Sequence, residues 1–332
     1  MRRIEIIIPT WNGRDILAQC LPAVIPCLEE PDVHAGITIV DDAGTDGTPE
    51  YLAKNFPQVT VLPLTLRRGF PGAVNAGASA SLADSLLILN NDMVPDGPVL
   101  APLLEHFDDP DVVAVSARVL KWDRKTIDVG RRLRTFENGE ISSVGENEDY
   151  PEVSYTFFAS GGAMVVDRRR FLELGGFDEI YAPGYVEDTD FCYRAWKRGW
   201  KVVWDPRSTF IHMGSATFTP KRPGFRRYVS QCRVRYFLRR NSFYFYWKNL
   251  TDSDARRAYW QHLPGRMFKA LCAGDLLCVP AFLRALLSLR GLNRRRQEEL
   301  QSVSVGDAEV FERIGQLCST DHAEAYATTA GK

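Results

Sequence analysis

The sequence predicts an α/β fold: a mainly parallel central sheet with helices on both faces, followed by a helical extension. Three observations predict it. Over the first 120 residues, short apolar runs alternate with helix-patterned stretches, the order expected of strand–helix–strand units. Polar clusters follow several of these runs directly, and open sheets of this kind bind ligands beyond the carboxyl ends of their strands. Finally, the chain changes character near residue 220. Residues 221–300 hold 18 Lys and Arg against 5 Asp and Glu, a local charge of +13, although the 332-residue chain totals −1.

The elements follow in order. Residues 4–8 are a buried strand, with three consecutive isoleucines after Glu5. After Asn12-Gly13, Ile16, Leu17, Cys20, Leu21, Val24, Ile25 and Leu28 recur at the spacing of one helix face,. Residues 37–40 are the second strand, and Thr48-Pro49 reads as an N-cap followed by proline at the first helical position,. Residues 59–64 are a third strand, 72–82 a small-residue helix, 86–89 a fourth strand, 99–107 a helix and 112–115 a fifth strand. Short β segments then surround an Asn138-Gly139 turn,. Residues 157–166 read as an apolar strand containing Gly161-Gly162. Residues 168–174 read as a helix stopped by Gly175-Gly176, and 188–198 as one stopped at Gly199,. Strand-like stretches at 200–204 and 208–211 close this part. The expected organisation is a catalytic domain over 1–220 (a nucleotide half to 115, an acceptor half after it), a basic helical region over 221–300, and a helix with a flexible tail over 301–332.

Composition narrows the function. Hydrophobic residues make up 45% and charged residues 25%, which excludes a disordered chain, a fibre or a multi-span membrane protein. The near-neutral total gives no argument for nucleic acid as a partner. Seven scattered cysteines without a C-x-x-C pair point to reduced thiols. The first nine residues run into a strand without a signal-peptide cleavage site, so a cytoplasmic catalytic part is expected. The stretch from Arg67 to Gly77 lacks the G-x-G-x-x-G spacing, and no P-loop occurs, which weighs against dehydrogenases and P-loop NTPases.

Four polar groups carry candidate chemistry. Asn90-Asn91-Asp92 follows a buried strand directly. Asp92 there is either a ligand of a hard divalent cation bridging two phosphates or a turn residue. Asp41-Asp42 ends another strand and suits hydrogen bonds from a nucleobase or ribose, or is an ordinary acidic loop. Glu187-Asp188-Thr189-Asp190 opens a helix; its acids suit the helix dipole, or supply a general base at a cleft mouth. His212 is either a surface histidine or a further metal ligand.

Taken together, the blocks resemble family-2 glycosyltransferases with the GT-A fold. The resemblance covers roughly residues 3–250. It rests on Ile6-Ile7-Ile8-Pro9-Thr10-Trp11-Asn12, Ile39-Val40-Asp41-Asp42, Gly69-Phe70-Pro71-Gly72 through Asn75-Ala76-Gly77, and Leu87-Ile88-Leu89-Asn90-Asn91-Asp92. In the second half it rests on Ser160-Gly161-Gly162, Gly175-Gly176-Phe177-Asp178 and Glu187-Asp188-Thr189-Asp190. The flavour is that of bacterial cell-surface polysaccharide enzymes, including rhamnosyltransferase-like members. The resemblance implies a Rossmann-like sheet, a UDP- or dTDP-sugar donor, a glycan or polyprenyl-linked acceptor, Mg²⁺ or Mn²⁺, and inversion at the anomeric carbon. It places Pro9, Thr10, Asn12, Asp41, Asp42, Gly69, Asn75, Asn90, Asn91, Gly161, Gly162, Glu187 and Arg240 around the nucleotide sugar. Asp92 and His212 are placed at the metal, and Asp188 as the base. Asn90 stands where the family's D-x-D motif has its first acid, which leaves Asp92 as the anionic ligand.

In the basic region, arginines interleave with Tyr228, Tyr236, Phe237, Phe243, Tyr244, Phe245, Tyr246 and Trp247. Residues 271–289 are nearly apolar but contain Asp275, Pro280 and Arg284, a poor membrane span and a better in-plane helix. The expected partner is the cytoplasmic face of the cell membrane; helices packed on the main domain or in a homodimer are the alternative. Two rival classes remain from sequence alone. A sugar-phosphate nucleotidyltransferase would want a glycine-rich basic loop after the first strand, where Thr10-Trp11-Asn12-Gly13 stands. A non-catalytic carbohydrate-binding relative is opposed by the retained Asp92 and Asp188.

Overall fold

The computed structural model describes residues 2–137, 139–214 and 225–316. The first half lays down β1 (Arg3–Thr10), α1 (Arg14–Val24), β2 (His34–Asp41), α2 (Thr48–Asn55), β3 (Thr60–Pro63), α3 (Gly69–Ala80), β4 (Ser85–Leu89), β5 (Met93–Pro95) and α4 (Leu100–Glu105). Next come β6 (Val112–Lys121), β7 (Ile127–Val129), β8 (Arg131–Glu137), β9 (Glu140–Glu148), β10 (Ser154–Tyr155), β11 (Ala163–Asp167), α5 (Arg168–Glu173), α6 (Glu187–Lys197) and β12 (Lys201–His212). Five helices end the described chain: α7 (Phe225–Asn249), α8 (Ser253–Cys272), α9 (Cys278–Leu287), α10 (Leu289–Leu300) and α11 (Asp307–Gln316).

The central sheet runs β10-β12-β6-β11-β4-β1-β2-β3. Strands β3, β2, β1 and β4 are mutually parallel, and β6 and β12 are parallel to each other. Because β11 is antiparallel to both β4 and β6, all six of those strands point the same way. Their carboxyl ends therefore open on one edge. Every residue of β4 is buried, as suits a strand covered on both faces.

Several local expectations are corrected. Thr48 is the first residue of α2 rather than its cap. Gly47 precedes it at φ 76°, and the Thr48 hydroxyl donates to Asp46 at 2.6 Å. The helix expected over 99–107 closes at Glu105 and continues as a 3-10 turn. The strand expected over 157–166 begins only at Ala163, where pairing with Leu89 of β4 starts. Residues 157–162 instead form a loop, in which Gly162 passes so close to the Asn90 side chain that a Cβ would stand 2.9 Å from its amide nitrogen. The apolar stretch 271–289 is broken by a turn at Gly274 (φ 78°) between α8 and α9.

The aromatics expected at a membrane surface lie mostly inside. Phe243, Tyr244, Phe245, Tyr246 and Trp247 of α7 are buried in the main hydrophobic core. Lys248 reaches Asp178 and Asp190, both at 2.8 Å, and Asn249 donates to Asp190 at 2.7 Å. The second half of α7 is thus part of the same packed body as the central sheet. Among the described residues, no helix is long and apolar enough to cross a membrane, and six cysteines are free thiols. The expected boundary at 220–221, Asn138 of the expected turn and the tail beyond residue 316 lie outside the described residues.

Candidate active site

The strand ends and the loops before α6 enclose a cavity of about 560 Å³. β1 contributes Pro9 and Thr10, with Trp11 following. The turn after β4 contributes Asn90, Asn91 and Asp92. The loop 157–162 contributes Phe158, Ser160, Gly161 and Gly162, and the head of α6 adds Glu187, Asp188 and Thr189. His212, at the end of β12, and Leu238, from α7, complete opposite parts of the wall.

Twelve of the sixteen residues expected at the site line this cavity: Pro9, Thr10, Asp42, Gly69, Asn90, Asn91, Asp92, Gly161, Gly162, Glu187, Asp188 and His212. Asn12, Asp41, Asn75 and Arg240 do not, and each has a physical reason. The Asn12 carbonyl accepts from the Thr45 N–H at 2.7 Å, which ties the first turn to the β2 loop. Asp41 turns inward and accepts from the Gly44 N–H at 3.2 Å; burial raises its pKa,. Asn75 clamps the glycine turn, donating to the Phe177 carbonyl at 2.7 Å and accepting from the Phe177 N–H at 2.9 Å. Arg240 is buried and donates to the Ala182 carbonyl at 2.6 Å. It shapes the Pro183-Gly184 wall from behind.

Asp42 faces the cavity, yet its carboxylate also accepts from the Arg68 and Gly69 N–H groups at 2.7 and 2.8 Å, at the head of α3. Gly69 is required there. Its φ is 74°, and a Cβ would lie 2.8 Å from Pro183 Cα,. Beside it, the Arg67 guanidinium lies 3.4 Å above the Trp11 ring, so Trp11 and Arg67 form an aromatic–cationic wall. Neither was among the expected site residues, although Trp11 adjoins Thr10 and Arg67 adjoins the glycine stretch.

The part of the wall at the head of α6 is acidic. Asp188 Oδ2 accepts from the Gly161 N–H at 3.0 Å, and Oδ1 from the Thr189 N–H at 2.6 Å. Burial raises the Asp188 pKa, partly offset by those N–H donors,. Glu187 is buried, and its Oε2 has no hydrogen-bond partner among the described residues. Burial, then the Asp188 charge, push Glu187 well above the usual carboxylate range. The backbone that delivers this pair is strained, with Tyr185 and Val186 at φ 76° and 75°, a region a β-branched residue rarely adopts. Asn241 of α7 holds that segment, donating to the carbonyls of Tyr181, Gly184 and Tyr185 at 2.7–3.0 Å.

The third chemical feature is a carboxylate–imidazole–carboxylate row. His212 Nε2 lies 3.3 Å from Asp92 Oδ2, and Nδ1 lies 2.6 Å from Asp128 Oδ2. Burial opposes the charged imidazole, but the bonds to Asp128 and Asp92 outweigh it and push the pKa up to about 9. Asp128 stands on β7, and both β7 and β12 pair with β6, so the sheet brings Asp128 and His212 together. Among the described residues, no group of three or more His, Cys, Asp and Glu forms a complete metal cage.

Comparison with known proteins identifies the family of the chain. The profile of glycosyl transferase family 2 matches residues 5–171. The N-acetylglucosaminyl-diphospho-decaprenol L-rhamnosyltransferase of Mycobacterium tuberculosis is 27% identical over 235 residues, covering 63% of this chain and 75% of its own. The undecaprenyl-phosphate mannosyltransferase of Micrococcus luteus is 26% identical over 215 residues, covering 63% and 84%. Among solved structures, a mannosyltransferase from Pyrobaculum calidifontis in complex with GDP-Man and Mn²⁺ superposes with a TM-score of 0.55 at 19% identity, covering 91% of this chain and 86% of that one. Half of the sequence, including β1 and the turn after β4 that line the cavity, fits one family: the chain belongs to glycosyl transferase family 2 and has the GT-A fold.

Proposed function

We propose that this chain is an inverting glycosyltransferase, moving a sugar from a UDP- or dTDP-sugar to a hydroxyl of a polyprenyl-linked glycan acceptor. The observation that carries the reading is that a half-buried carboxylate, Asp188, and the Asp92–His212 pair line one and the same cavity. The donor's base lies on the Pro9, Thr10 and Trp11 side, where Arg67 adds positive charge. Asn90 and Asn91 present amides to its sugar and phosphates. Asp188, on the far wall, takes the proton of the attacking hydroxyl. The bonds from Gly161 and Thr189 fix its orientation, and a base so placed contributes about 10²–10⁴-fold. Glycine at 161 and 162 lets Phe70 and Asn90, which also line the cavity, pack against the backbone. Burial favours a protonated Glu187, so that the pair carries its charge on Asp188.

A carboxylate and an imidazole nitrogen on one wall are ligand types that Mn²⁺ accepts, and Mg²⁺ takes one or two carboxylates with substrate oxygens. Asp92 and His212 Nε2 would hold the ion, which when bound neutralises charge on the departing diphosphate. Asp128 fixes the imidazole by its other nitrogen, the usual outer partner of a metal-binding histidine. Asp92→Ala is expected to abolish Mn²⁺-stimulated donor binding. Asp128→Asn should raise the Mn²⁺ concentration for half-maximal binding by about 10–100-fold. Calorimetric titration of nucleoside diphosphate with and without Mn²⁺ reads both; full donor turnover in excess EDTA would refute the metal site.

The lipid-linked acceptor is supported by the names of the mycobacterial and Micrococcus relatives, which specify a decaprenol diphosphate and an undecaprenyl phosphate. An acceptor of that kind supports a peripheral position at the cytoplasmic face of the membrane.

A further inference from the structure

We propose that the corner formed by α8 and α9 is a docking face for an anionic phospholipid surface, set beside the mouth of the cavity. Exposed large apolar side chains concentrate in the C-terminal helices. Phe268 (68% exposed), Leu271, Leu276 (69%), Val279, Leu283 (53%) and Leu287 (80%) run from the end of α8 through α9. Within α9, Val279, Leu283, Leu286 and Leu287 recur at the spacing of one helix face,. The opposite face is occupied: Cys278, Ala281 and Ala285 are buried, and Phe282 packs on Phe243 and Trp247 of α7 at 5.5 and 5.9 Å. The outward leucines are therefore a second apolar face on an already docked helix.

Charge selects the occupant. Between residues 255 and 297 the only acid is Asp275, and Arg239 already binds it at 2.7 Å. Lys269, Arg284 and Arg290 are exposed around the apolar row. An apolar stripe flanked by cations matches an anionic lipid headgroup layer over its acyl region. The same ion pair fixes where that surface lies. Leu238 lines the cavity, the next residue, Arg239, grips Asp275, and Asp275 adjoins Leu276. A bilayer on this face lies next to the cavity rim, so a lipid-anchored acceptor can present its sugar without leaving the membrane. The inference rests on the lipid-linked acceptor proposed above.

The test uses the full chain and vesicles of phosphatidylglycerol with phosphatidylethanolamine, or of phosphatidylcholine alone. The wild type should float with the phosphatidylglycerol vesicles and not with phosphatidylcholine. The Leu283→Glu, Leu287→Glu double variant changes exposed positions only. It should lose vesicle binding by about tenfold or more, keep wild-type donor hydrolysis and remain the same size by sedimentation. Equal flotation of both proteins, or none by the wild type, would overturn the proposal. So would a wild-type dimer that the double variant dissociates, because a second copy would then cover the face. Transfer to acceptor dispersed in detergent separates the two readings. Transfer without flotation rejects the docking face alone, whereas flotation without transfer rejects the acceptor assignment.

Discussion

Asp188→Asn is expected to slow transfer by about 10²–10⁴-fold while donor affinity stays within a few-fold. Asparagine has nearly the same shape, and its amide oxygen can still accept from the Gly161 N–H, now 3.0 Å from the carboxylate. It cannot accept the acceptor's proton. In the proposed arrangement the donor's base lies against Pro9, Thr10 and Trp11, so the loss should appear in turnover rather than in nucleotide binding. The wild-type pH profile supplies a second readout. Asp188 acts only when ionised, and burial raises its pKa. Activity should therefore climb with pH through a limb displaced upward from that of an ordinary aspartate and level off once Asp188 is charged. Stopped assays of nucleoside diphosphate release across pH, with a separate titration of donor, check both. Wild-type turnover in the variant would remove Asp188 from the chemistry.

Lys248→Met is expected to destabilise the fold by up to about 3–5 kcal/mol, because it takes one of two cations from buried Asp190, which keeps Arg194, and one from Asp178, which keeps Arg295,. Lys248 is buried and reaches Asp178 and Asp190, both at 2.8 Å. Asp190 also accepts from Tyr181 at 2.8 Å and Arg194 at 2.8 Å, so one carboxylate joins α6, α7 and the preceding loop. Burial alone would raise the Asp190 pKa, but Lys248 and Arg194 overcome it and hold it far below its usual value. A depressed carboxylate stabilises the native state above its unfolded pKa, near 3.9. That contribution is lost as pH falls towards the folded value. The difference between wild type and variant should thus be full at neutral pH and shrink below about pH 4. Urea denaturation at pH 7 and pH 3.5 measures it. An unchanged midpoint at pH 7 would show that α7 is not anchored through this cluster.

Legibility divides along a physical line. The strands and the groups at their ends were readable because a buried strand must be apolar and its first polar residues must fall at the open edge. Asp92 after Leu89, Asp42 after Val40 and Asp41, and His212 after Ile211 follow that rule. Asp188 was readable because it opens a helix after a flexible loop. Asp128 was not, since only the shared neighbour β6 brings β7 against β12. Asn75 and Arg240 are polar residues within informative stretches, but their side chains are spent on the Phe177 and Ala182 backbones. The α7 aromatics misled for a related reason. Alternation of arginine and aromatics looks the same whether the rings meet lipid or the core, and Phe243 through Trp247 meet the core.

The stereochemistry of the product tests the central claim most directly. In the proposed reaction a hydroxyl deprotonated by Asp188 attacks the anomeric carbon on the face away from the departing diphosphate, so the sugar is transferred with its anomeric configuration inverted. The configuration of the new glycosidic bond, read by NMR against that of the donor, should be opposite to it. Retention would mean that a side chain such as Glu187 attacks the sugar first, and would contradict the account.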